Sequence, residues 1–504
     1  MKIALIQGRL NSDRPAESLE RLTQALNSKE AQGAELTVFP ALSLSGRLGP
    51  AALARPGLDL QYRKVWDDFL ALSKKYPETT IASSVLAFGG PEAPVEKSFL
   101  VRAGDAVFGP AGGPAMGSVG GLKTAVWPGG RTPAGREADS DLVITLNDQL
   151  FEGQPYYPPQ IGPAPGFRIN VSNVGGQGPY IYDGATWVFN SRGELKGWAY
   201  GFESTMVILD TLAKNLPTLA PLPVRHDLDV LHQALTAGLR DFVRSTGGGK
   251  VVLGLSGGLD SALVALLAVD ALGADNVLGV GMPSEYNSPD SLNLARELAK
   301  NLGIPFLTIP IDGVREAFTR SFLLTPKSSE KAGHLADENI QARIRAVLLM
   351  YLANREDRLV LATGNKSEAA MGYSTLYGDT CGAIAPIGDV YKVRLYDLAR
   401  HLNRNGERIP EGIITRPPSA ELRPDQKDSD SLPPYEILDD ILRRSLEGGQ
   451  SGSRIAKEGG HSAMTVAWVL STVKKSAFKR SQEPFSLVAS PAPLAGLDWP
   501  AKPV

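Results

Sequence analysis

Short apolar runs and helically spaced apolar positions alternate along the first part of the chain. Residues 2–7, KIALIQ, predict a buried strand, and AELTVFP at residues 34–40 predicts a second. Between them, Ala16 to Gln32 carries leucines three and four positions apart, the spacing of one helix face. Further short strands separated by Gly, Pro and Asn follow to about residue 205, so this part is predicted to be rich in strands.

From Asp227 the pattern changes to strands that alternate with longer helices. A helix predicted over Val230 to Ser245 precedes a glycine turn, a buried strand, a glycine loop and an apolar helix. Several more strand–helix units follow, and their alternation predicts a doubly wound parallel sheet of the α/β class. Ligands bind such sheets beyond the carboxyl ends of the strands. Two polar segments fall at such ends, SGGLDS at 256–261 and ATGNKSE at 362–368.

A proline-rich stretch, KNLPTLAPLPVRHD, separates the two patterns. The predicted organisation is therefore a first domain over residues 1–205, a linker over 206–226 and a second domain over 227–504. Within the first domain, glycine and proline are concentrated between residues 89 and 166, which predicts long loops there.

Composition limits the possible classes of function. The 504 residues are 43% hydrophobic and carry a net charge of -2, so wholesale nucleic-acid binding is disfavoured. No apolar run reaches the roughly 18 residues of a membrane helix, and the N-terminus is a poor signal peptide. The one cysteine, Cys381, excludes an intramolecular disulfide and any cysteine-based metal cluster, which favours a reducing cytoplasm.

The segment SGGLDS carries the sharpest chemical signal. Its glycines, Gly257 and Gly258, allow a tight turn that brings backbone N–H groups near an anion, and the following helix N-terminus adds its positive dipole end. Ser256 and Ser261 offer hydroxyl donors, and Asp260 can hold Mg²⁺. The alternative is a plain glycine-rich turn. The segment lacks the Gly-Lys-Ser/Thr of a Walker A loop, and GGGK at 247–250 precedes a strand, which predicts a flexible turn.

This loop and several later motifs resemble one enzyme family. SGGxDS after a strand is similar to the pyrophosphate-binding loop of ATP pyrophosphatases, which adenylate a substrate before a nucleophile, commonly ammonia, displaces AMP. The motifs that narrow the resemblance to NAD synthetases are NIQARIR at 339–345, ATGNKSE at 362–368, LYGD at 376–379, RPPSAEL at 416–422, KD at 427–428, DSLPPY at 430–435 and FKR at 478–480. The resemblance implies an adenine nucleotide alpha hydrolase-like domain that uses ATP, Mg²⁺ and ammonia to amidate deamido-NAD.

The same resemblance implies roles for individual residues. The residues implied to bind ATP are Ser256, Gly257, Gly258, Asp260, Ser261, Thr363, Glu368, Lys392 and Ser419. Those implied to bind deamido-NAD are Arg343, Asp379 and Lys479. Asp260 and Glu368 would hold Mg²⁺ and, together with Lys392, carry the catalysis.

Elementary geometry leaves some of these roles open. Arg343 and Arg345 are two positions apart, so they lie on different helix faces, and only one can reach a given ligand. The resemblance favours Arg343. Glu368 has an alternative role as a solvated acid at a helix N-terminus. Glu285 departs from the family, in which a basic residue often follows Met-Pro-Ser, and this puts any nucleotide contact from that position in doubt.

The first domain resembles the nitrilase-like amidase domain of glutamine-dependent NAD synthetases, an αββα sandwich. GAELTVFP at 33–40, NVGGQ at 173–177 and DG at 183–184 carry this likeness. Amidase chemistry there needs a Glu–Lys–Cys triad. Ala41 stands at the glutamate position and Gly129 follows the strand that should carry the thiol, while the lysine segment is shortened around 103–121. With its only cysteine in the second domain, the chain is predicted to lack glutaminase activity.

Three hypotheses follow. The chain is an NAD synthetase that takes free ammonia, or a synthetase subunit supplied by a separate glutaminase, or a nucleotide-binding regulatory pseudoenzyme. The resemblance also implies a homo-oligomer, at least a dimer. Retained apolar strands in a domain without its catalytic residues point to a packing role for the first domain.

Overall fold

Strands dominate the first 210 residues of the computed structural model. The structure describes residues 1–9, 15–46, 48, 53, 57–88, 94–129, 140–154, 158–199, 201–211, 226–321 and 330–494, with side chains from 335 onward in the last range. The chain divides into two units, Met1–Ala234 and Leu235–Val504. No helix among the described residues is both long and apolar enough to cross a membrane.

The first unit is a sandwich of two six-stranded sheets. Its elements are β1 (Lys2–Gln7), α1 (Pro15–Leu26), β2 (Leu36–Val38), α2 (Leu58–Ser73), β3 (Thr80–Ala87), β4 (Val95–Arg102), β5 (Asp105–Phe108), β6 (Ala115–Val119), β7 (Leu122–Trp127), β8 (Leu142–Asn147), β9 (Phe167–Ser172), β10 (Val174–Gln177), β11 (Tyr180–Asp183), β12 (Thr186–Phe189), β13 (Leu195–Ala199) and β14 (Thr205–Asp210). The strand orders are β14-β1-β2-β3-β4-β5 and β13-β12-β9-β8-β7-β6, and β10 pairs with β11.

Side chains from both sheets form the core of the sandwich. Ile3, Leu5 and Val38 of one sheet belong to the same buried cluster as Val126 and Ile144 of the other. A second cluster places α1 and α2 on the opposite face of the first sheet. The described parts of the β7–β8 and β8–β9 connections contain no helix.

One local prediction for this unit needs correction. The predicted linker began at residue 206, but β14 pairs with β1 from Thr205 to Asp210, so the first unit continues through this strand. Long loops were predicted within residues 89–166. Residues 148–154 and 158–166 contain neither helix nor strand, while residues 95–127 hold four strands. Positive φ angles at Gly104 and Gly121 show that glycine here serves the turns.

The second unit contains the predicted parallel sheet. The elements from residue 227 onward are α3 (Asp227–Ser245), β15 (Val251–Gly254), α4 (Leu259–Leu272), β16 (Val277–Gly281), α5 (Pro289–Leu302), β17 (Phe306–Thr308), α6 (Asp312–Arg320), α7 (Glu330–Glu356), β18 (Leu359–Val360), α8 (Lys366–Met371), α9 (Lys392–Leu402), α10 (Glu411–Thr415), α11 (Tyr435–Leu446), α12 (Gly452–Gly459), α13 (Ala463–Lys475) and α14 (Ala477–Arg480). The order is β17-β16-β15-β18, and every pair in it is parallel.

This order places a switch point between β15 and β18. The chain steps from β15 to β16 and β17 on one side, then crosses to β18 on the other side of β15. The loops after β15 and β18 therefore leave the sheet in opposite directions and open a crevice between them, where ligands bind such folds. Both predicted polar segments begin there, which confirms their placement at strand ends.

Two apolar clusters support the sheet. Val252 and Val280 pack with Ile344 and Leu352 of α7 on one face. A separate helical cluster joins α8 with α11, α12 and α13 through buried side chains that include Leu438 and Val469. The second cluster fixes the helices that carry the chemistry described next.

Candidate active site

The loop after β15 has the geometry of an anion-binding turn. Gly257 has φ +78°, and a Cβ there would lie 2.3 Å from the carbonyl oxygen of Ser291. Only glycine fits this position without a shift of the backbone. The hydroxyl of Ser256 accepts the Gly258 N–H at 3.2 Å and lies 3.2 Å from the hydroxyl of Ser261. The loop then enters α4, whose N-terminus no side chain caps.

A buried lysine joins the two predicted metal ligands. The Nζ of Lys392, at the start of α9, contacts a carboxylate oxygen of Asp260 and lies 3.3 Å from Oε1 of Glu368. The Lys392 side chain is 3% exposed. Asn365 caps α8 by accepting the Glu368 N–H at 3.0 Å, and its amide donates to Asp260 at 3.2 Å. The structure therefore brings together three residues from three separate segments.

Burial and neighbouring charges shift the pKa values of Glu368 and Lys392. Burial raises the pKa of Glu368 to about 8; Lys392 opposes this shift, while Asp260 and Asp428 add to it. Burial lowers the pKa of Lys392, but Asp260 and Glu368 outweigh burial and raise it above its ordinary value. The lysine therefore stays charged, and the carboxyl group of Glu368 keeps its proton to a higher pH than an exposed glutamate would.

The cluster suits a magnesium ion that is also held by phosphate. Mg²⁺ usually takes one or two protein carboxylates and completes its shell with nucleotide oxygens and water. Asp260 and Glu368 are two such carboxyl groups, and both lie within reach of one point, the Nζ of Lys392. No group of three or more His, Cys, Asp or Glu side chains among the described residues could hold a metal alone.

The predicted deamido-NAD residues surround the loop that follows α8. Arg343 donates from Nε to the Leu376 carbonyl at 3.2 Å. Lys479 donates to the carbonyls of Gly372 and Ser374 at 2.7 and 2.6 Å, and burial lowers its pKa. Asp379 accepts the Thr375 N–H at 2.6 Å. All three therefore meet one loop, residues 372–380.

A small cavity connects this loop with the charged cluster. Glu368, Asp379 and Glu483 line a space of about 30 Å³ together with Asn365 and Ser486. Glu368 thus faces both the lysine and the loop. Thr363, three residues beyond β18, is half-buried and precedes the segment that carries Glu368.

The second arginine of α7 serves a different segment. Arg345 donates from Nε to the Met282 carbonyl at 3.0 Å and from a terminal nitrogen to Asn287 at 3.1 Å. Burial lowers its pKa to about 10. Arg345 therefore holds the loop after β16, whereas Arg343 points to the loop of Asp379.

Ser419 lies in a different cavity from Glu368. It lines a space of about 820 Å³ with Glu285, Arg416 and Glu421, and its hydroxyl donates to the Gln426 carbonyl at 2.5 Å. Glu285, the departure from the family pattern, pairs with Arg315 on α6.

Sequence reasoning missed several buried polar residues of the site. Lys366 is fully buried and pairs with Asp389 at 3.1 Å, and Ser367 donates to Asp439 at 2.5 Å. Lys366 and Ser367 stand inside the quoted segment ATGNKSE, but only Thr363 and Glu368 were assigned roles. A lysine and a serine beside the predicted metal ligand Glu368 give no local sign of burial.

The first unit has no thiol at its amidase-like position. Ala41 is fully buried, and its carbonyl accepts the Asn173 amide at 3.2 Å, while Gly129 is exposed with φ +73°. Lys97 lies half-buried on β4. Cys381 belongs to the second unit, where burial raises the pKa of its thiol.

The sequence of this chain is similar to one protein family and to several of its members. Residues 231–483 match the family described as NAD synthase. The glutamine-dependent NAD(+) synthetase of Acinetobacter baylyi is 33% identical over an alignment of 512 residues with gaps. The alignment includes 95% of this chain and 94% of that protein. The Synechocystis sp. protein of the same name is 45% identical over 318 residues, 62% of this chain, and the matched part spans only 56% of that relative.

Solved structures agree over nearly the whole chain. A glutamine-dependent NAD+ synthetase from Acinetobacter baumannii in complex with adenosine diphosphate has a TM-score of 0.72 at 27% identity, covering 98% of both chains. A glutamine-dependent NAD(+) synthetase from Cytophaga hutchinsonii has a TM-score of 0.77 at 16% identity, covering 99% of this chain and 97% of that one, which shows a shared two-domain fold. The predicted fold class is therefore confirmed.

Proposed function

This chain belongs to the NAD synthase family, and from that premise we propose that it uses ATP to amidate the nicotinate carboxyl group of deamido-NAD. The observation that carries the proposal is the Asp260–Lys392–Glu368 cluster beside the glycine loop at the switch point of the sheet. This arrangement gathers cationic and metal-binding groups next to an anion-binding turn, as a reaction that releases pyrophosphate requires.

The reaction has two steps. A carboxylate oxygen of deamido-NAD attacks the α-phosphorus of ATP, and the bond to pyrophosphate breaks. Lys392 stabilises the charge on the departing group, and the loop of Ser256, Gly257, Gly258 and Ser261 holds phosphate oxygens. Ammonia then attacks the acyl carbon, AMP leaves, and the new amide loses a proton to solvent.

The remaining predicted residues position the substrates. Arg343, Asp379 and Lys479 hold deamido-NAD, since all three meet loop 372–380. Thr363 is assigned to ATP; for Ser419, which lies in the other cavity, that assignment rests on the resemblance alone. Asp260 and Glu368 would hold Mg²⁺, which supplies positive charge to the phosphates when bound.

We propose ammonia as the direct nitrogen donor. The relatives named above are called glutamine-dependent, but a nitrilase-type glutaminase needs a thiolate nucleophile. Here the only cysteine is Cys381, and Ala41 replaces the acid of the triad. A separate glutaminase that delivers ammonia is the second possibility. A nucleotide-binding pseudoenzyme is disfavoured because Asp260, Glu368 and Lys392 are in contact.

We further propose that the protein acts as a homo-oligomer in the cytoplasm. Val347, Met350 and Tyr351 form an exposed apolar row at helical spacing on α7, with 68%, 41% and 63% exposure. Such a row supports contact with a second copy. The test is the mass of the purified protein by light scattering, and a monomer would contradict the proposal.

A nitrogen-donor comparison tests the activity. Purified protein with deamido-NAD, ATP, Mg²⁺ and ammonium should form NAD, AMP and pyrophosphate in equal amounts. Formation of ADP and phosphate would refute the adenylation step. Glutamine in place of ammonium should give neither NAD nor glutamate.

The matched control for the donor is Cys381→Ser. It should keep ammonium-dependent synthesis, since the sulfur has no role in this chemistry. Glutamate release that disappears in Cys381→Ser would identify Cys381 as a nucleophile and overturn the ammonia proposal. Release that persists without any thiol in the chain would come from a contaminating amidase.

A further inference from the structure

The start of α9 is tied to two other helices by buried hydrogen bonds. We infer that Ser367 and Asp439, here called the Ser367–Asp439 clamp, are positioning residues that fix Lys392 between Asp260 and Glu368. This inference rests on the proposed function, since it concerns how the proposed catalytic lysine is placed.

The first link of the clamp joins α8 to α9. The Ser367 hydroxyl accepts the backbone N–H of Lys392 at 2.9 Å. Ser367 is fully buried, and it immediately precedes Glu368 in the chain. One hydroxyl thus connects the backbones that carry the lysine and one of its two carboxylate partners.

The second link brings in α11. The Ser367 hydroxyl donates to Oδ1 of Asp439 at 2.5 Å, and Oδ2 of Asp439 accepts the Val393 N–H at 2.9 Å. Asp439 is 7% exposed. Its carboxylate therefore accepts a hydrogen bond from the Val393 N–H in the first turn of α9. The first N–H groups of a helix have no partner within the helix, and the helix dipole favours a negative charge near them.

A buried ion pair restrains the same two segments. Lys366 pairs with Asp389 at 3.1 Å, and its backbone N–H donates to the Val390 carbonyl at 3.1 Å. Neither Lys366 nor Asp389 has an exposed side chain. The first residue of α8 and the turn before α9 are therefore joined by an ion pair and by a backbone hydrogen bond, which restrict their relative movement.

The clamp addresses a specific difficulty at Lys392. A lysine side chain is a flexible four-carbon chain, and its ammonium group can donate hydrogen bonds in many directions. Neither property fixes the position of Nζ. Its Nζ nevertheless contacts Asp260 from α4 and Glu368 from α8. Fixing the Lys392 backbone at its own N–H and at that of Val393 restricts where Nζ can reach.

Ser367→Ala tests the inference with the full-length protein. The change removes both hydrogen bonds of the hydroxyl and leaves Lys392, Asp260 and Glu368 intact. A misplacement of a catalytic group by about 1 Å can cost on the order of 10²-fold in rate, so kcat should fall about 10- to 100-fold. The KM for deamido-NAD should change little, because Arg343, Asp379 and Lys479 do not contact the clamp.

Two further variants make the test specific. Asp439→Asn keeps the size of the side chain and one acceptor oxygen, so it should lose less activity than Ser367→Ala and provides a second variant if the first fails to fold. Ser73→Ala is the matched control in the first unit. Ser73 is also fully buried, donates to the Leu70 carbonyl at 2.8 Å and accepts the Gly104 N–H at 2.9 Å.

The outcomes separate this inference from the proposed function. Wild-type synthesis of NAD with unchanged kcat in Ser367→Ala and Asp439→Asn would overturn the clamp alone. An equal loss of kcat in Ser73→Ala, or a loss that follows the melting temperature, would show a role in stability only and also overturn it. A wild-type protein that makes no NAD would overturn the proposed function and the clamp with it.

Discussion

At the residue scale, the charges around Lys392 are the first to test. Asp260→Asn and Glu368→Gln each remove one carboxylate that contacts Nζ and would hold Mg²⁺. Loss of one stabilising group for developing charge typically lowers kcat by about 10²–10³-fold, and we expect that range here. Glu316→Gln is the control, since Glu316 is 62% exposed on α6. Near-normal kcat in both site variants would refute the metal assignment.

Gly257 offers a second residue-scale test, because the fold leaves no room for a side chain there. In Gly257→Ala the new Cβ meets the Ser291 carbonyl, and the positive φ is unfavourable for alanine. We expect weaker ATP binding by calorimetry and a lower melting temperature. Gly249→Ala is the matched control, since nothing lies within 4 Å of its Cβ position. Equal ATP affinity in both variants would contradict the assigned role of the loop.

At the element scale, Asp440 joins α11 to the segment before α13. It lies 2.8 Å from Nε2 of His461 and 2.7 Å from Nε of Arg444. Burial raises the pKa of Asp440, but hydrogen bonds from His461, Arg444 and Arg443 outweigh burial and lower it to about 2. A carboxyl with a depressed folded-state pKa stabilises the fold above its unfolded value of 3.8, and this stability is lost as pH falls toward 2.

Asp440→Asn should therefore destabilise the protein in a pH-dependent way. The free energy of unfolding at pH 7 should fall by about 1–2 kcal/mol, after allowance for partial solvent screening. Denaturant unfolding at several pH values measures the difference, which should hold from pH 7 to about 4 and shrink below that. A difference that is independent of pH would assign the loss to packing instead.

At the scale of the whole molecule, the first unit keeps its core without its predicted chemistry. Ile3, Val38 and Ile144 are fully buried. Ala41 and Gly129 stand where the resemblance predicts the catalytic glutamate and cysteine. One buried unsatisfied polar group costs about 1–3 kcal/mol, so unconstrained substitution would damage such a core. We expect a chain from about Pro217 to Val504 to have fewer copies per assembly and lower stability than the full chain. The same number of copies per assembly, melting temperature and ammonium-dependent activity would refute the packing role.

The sequence alone determined the features that depend on local order. Apolar periodicity predicted β1 and the alternating second unit, because helices and strands repeat at 3.6 and 2 residues whatever surrounds them. The glycine loop after β15 was predictable because tight turns need glycine. That residues 1–234 contain no thiol follows from the position of Cys381 alone.

Only the tertiary structure decided which distant residues meet. Asp260 and Lys392 are 132 positions apart, and their contact depends on the order that places β18 beside β15. Arg343 and Arg345 donate hydrogen bonds to different loops, and Ser419 lies in a different cavity from Glu368. Lys366 and Ser367 are buried next to the site. These placements also depend on the packing of the elements. Periodicity records which face of an element is apolar, but contacts between elements follow from how their side chains fill space together.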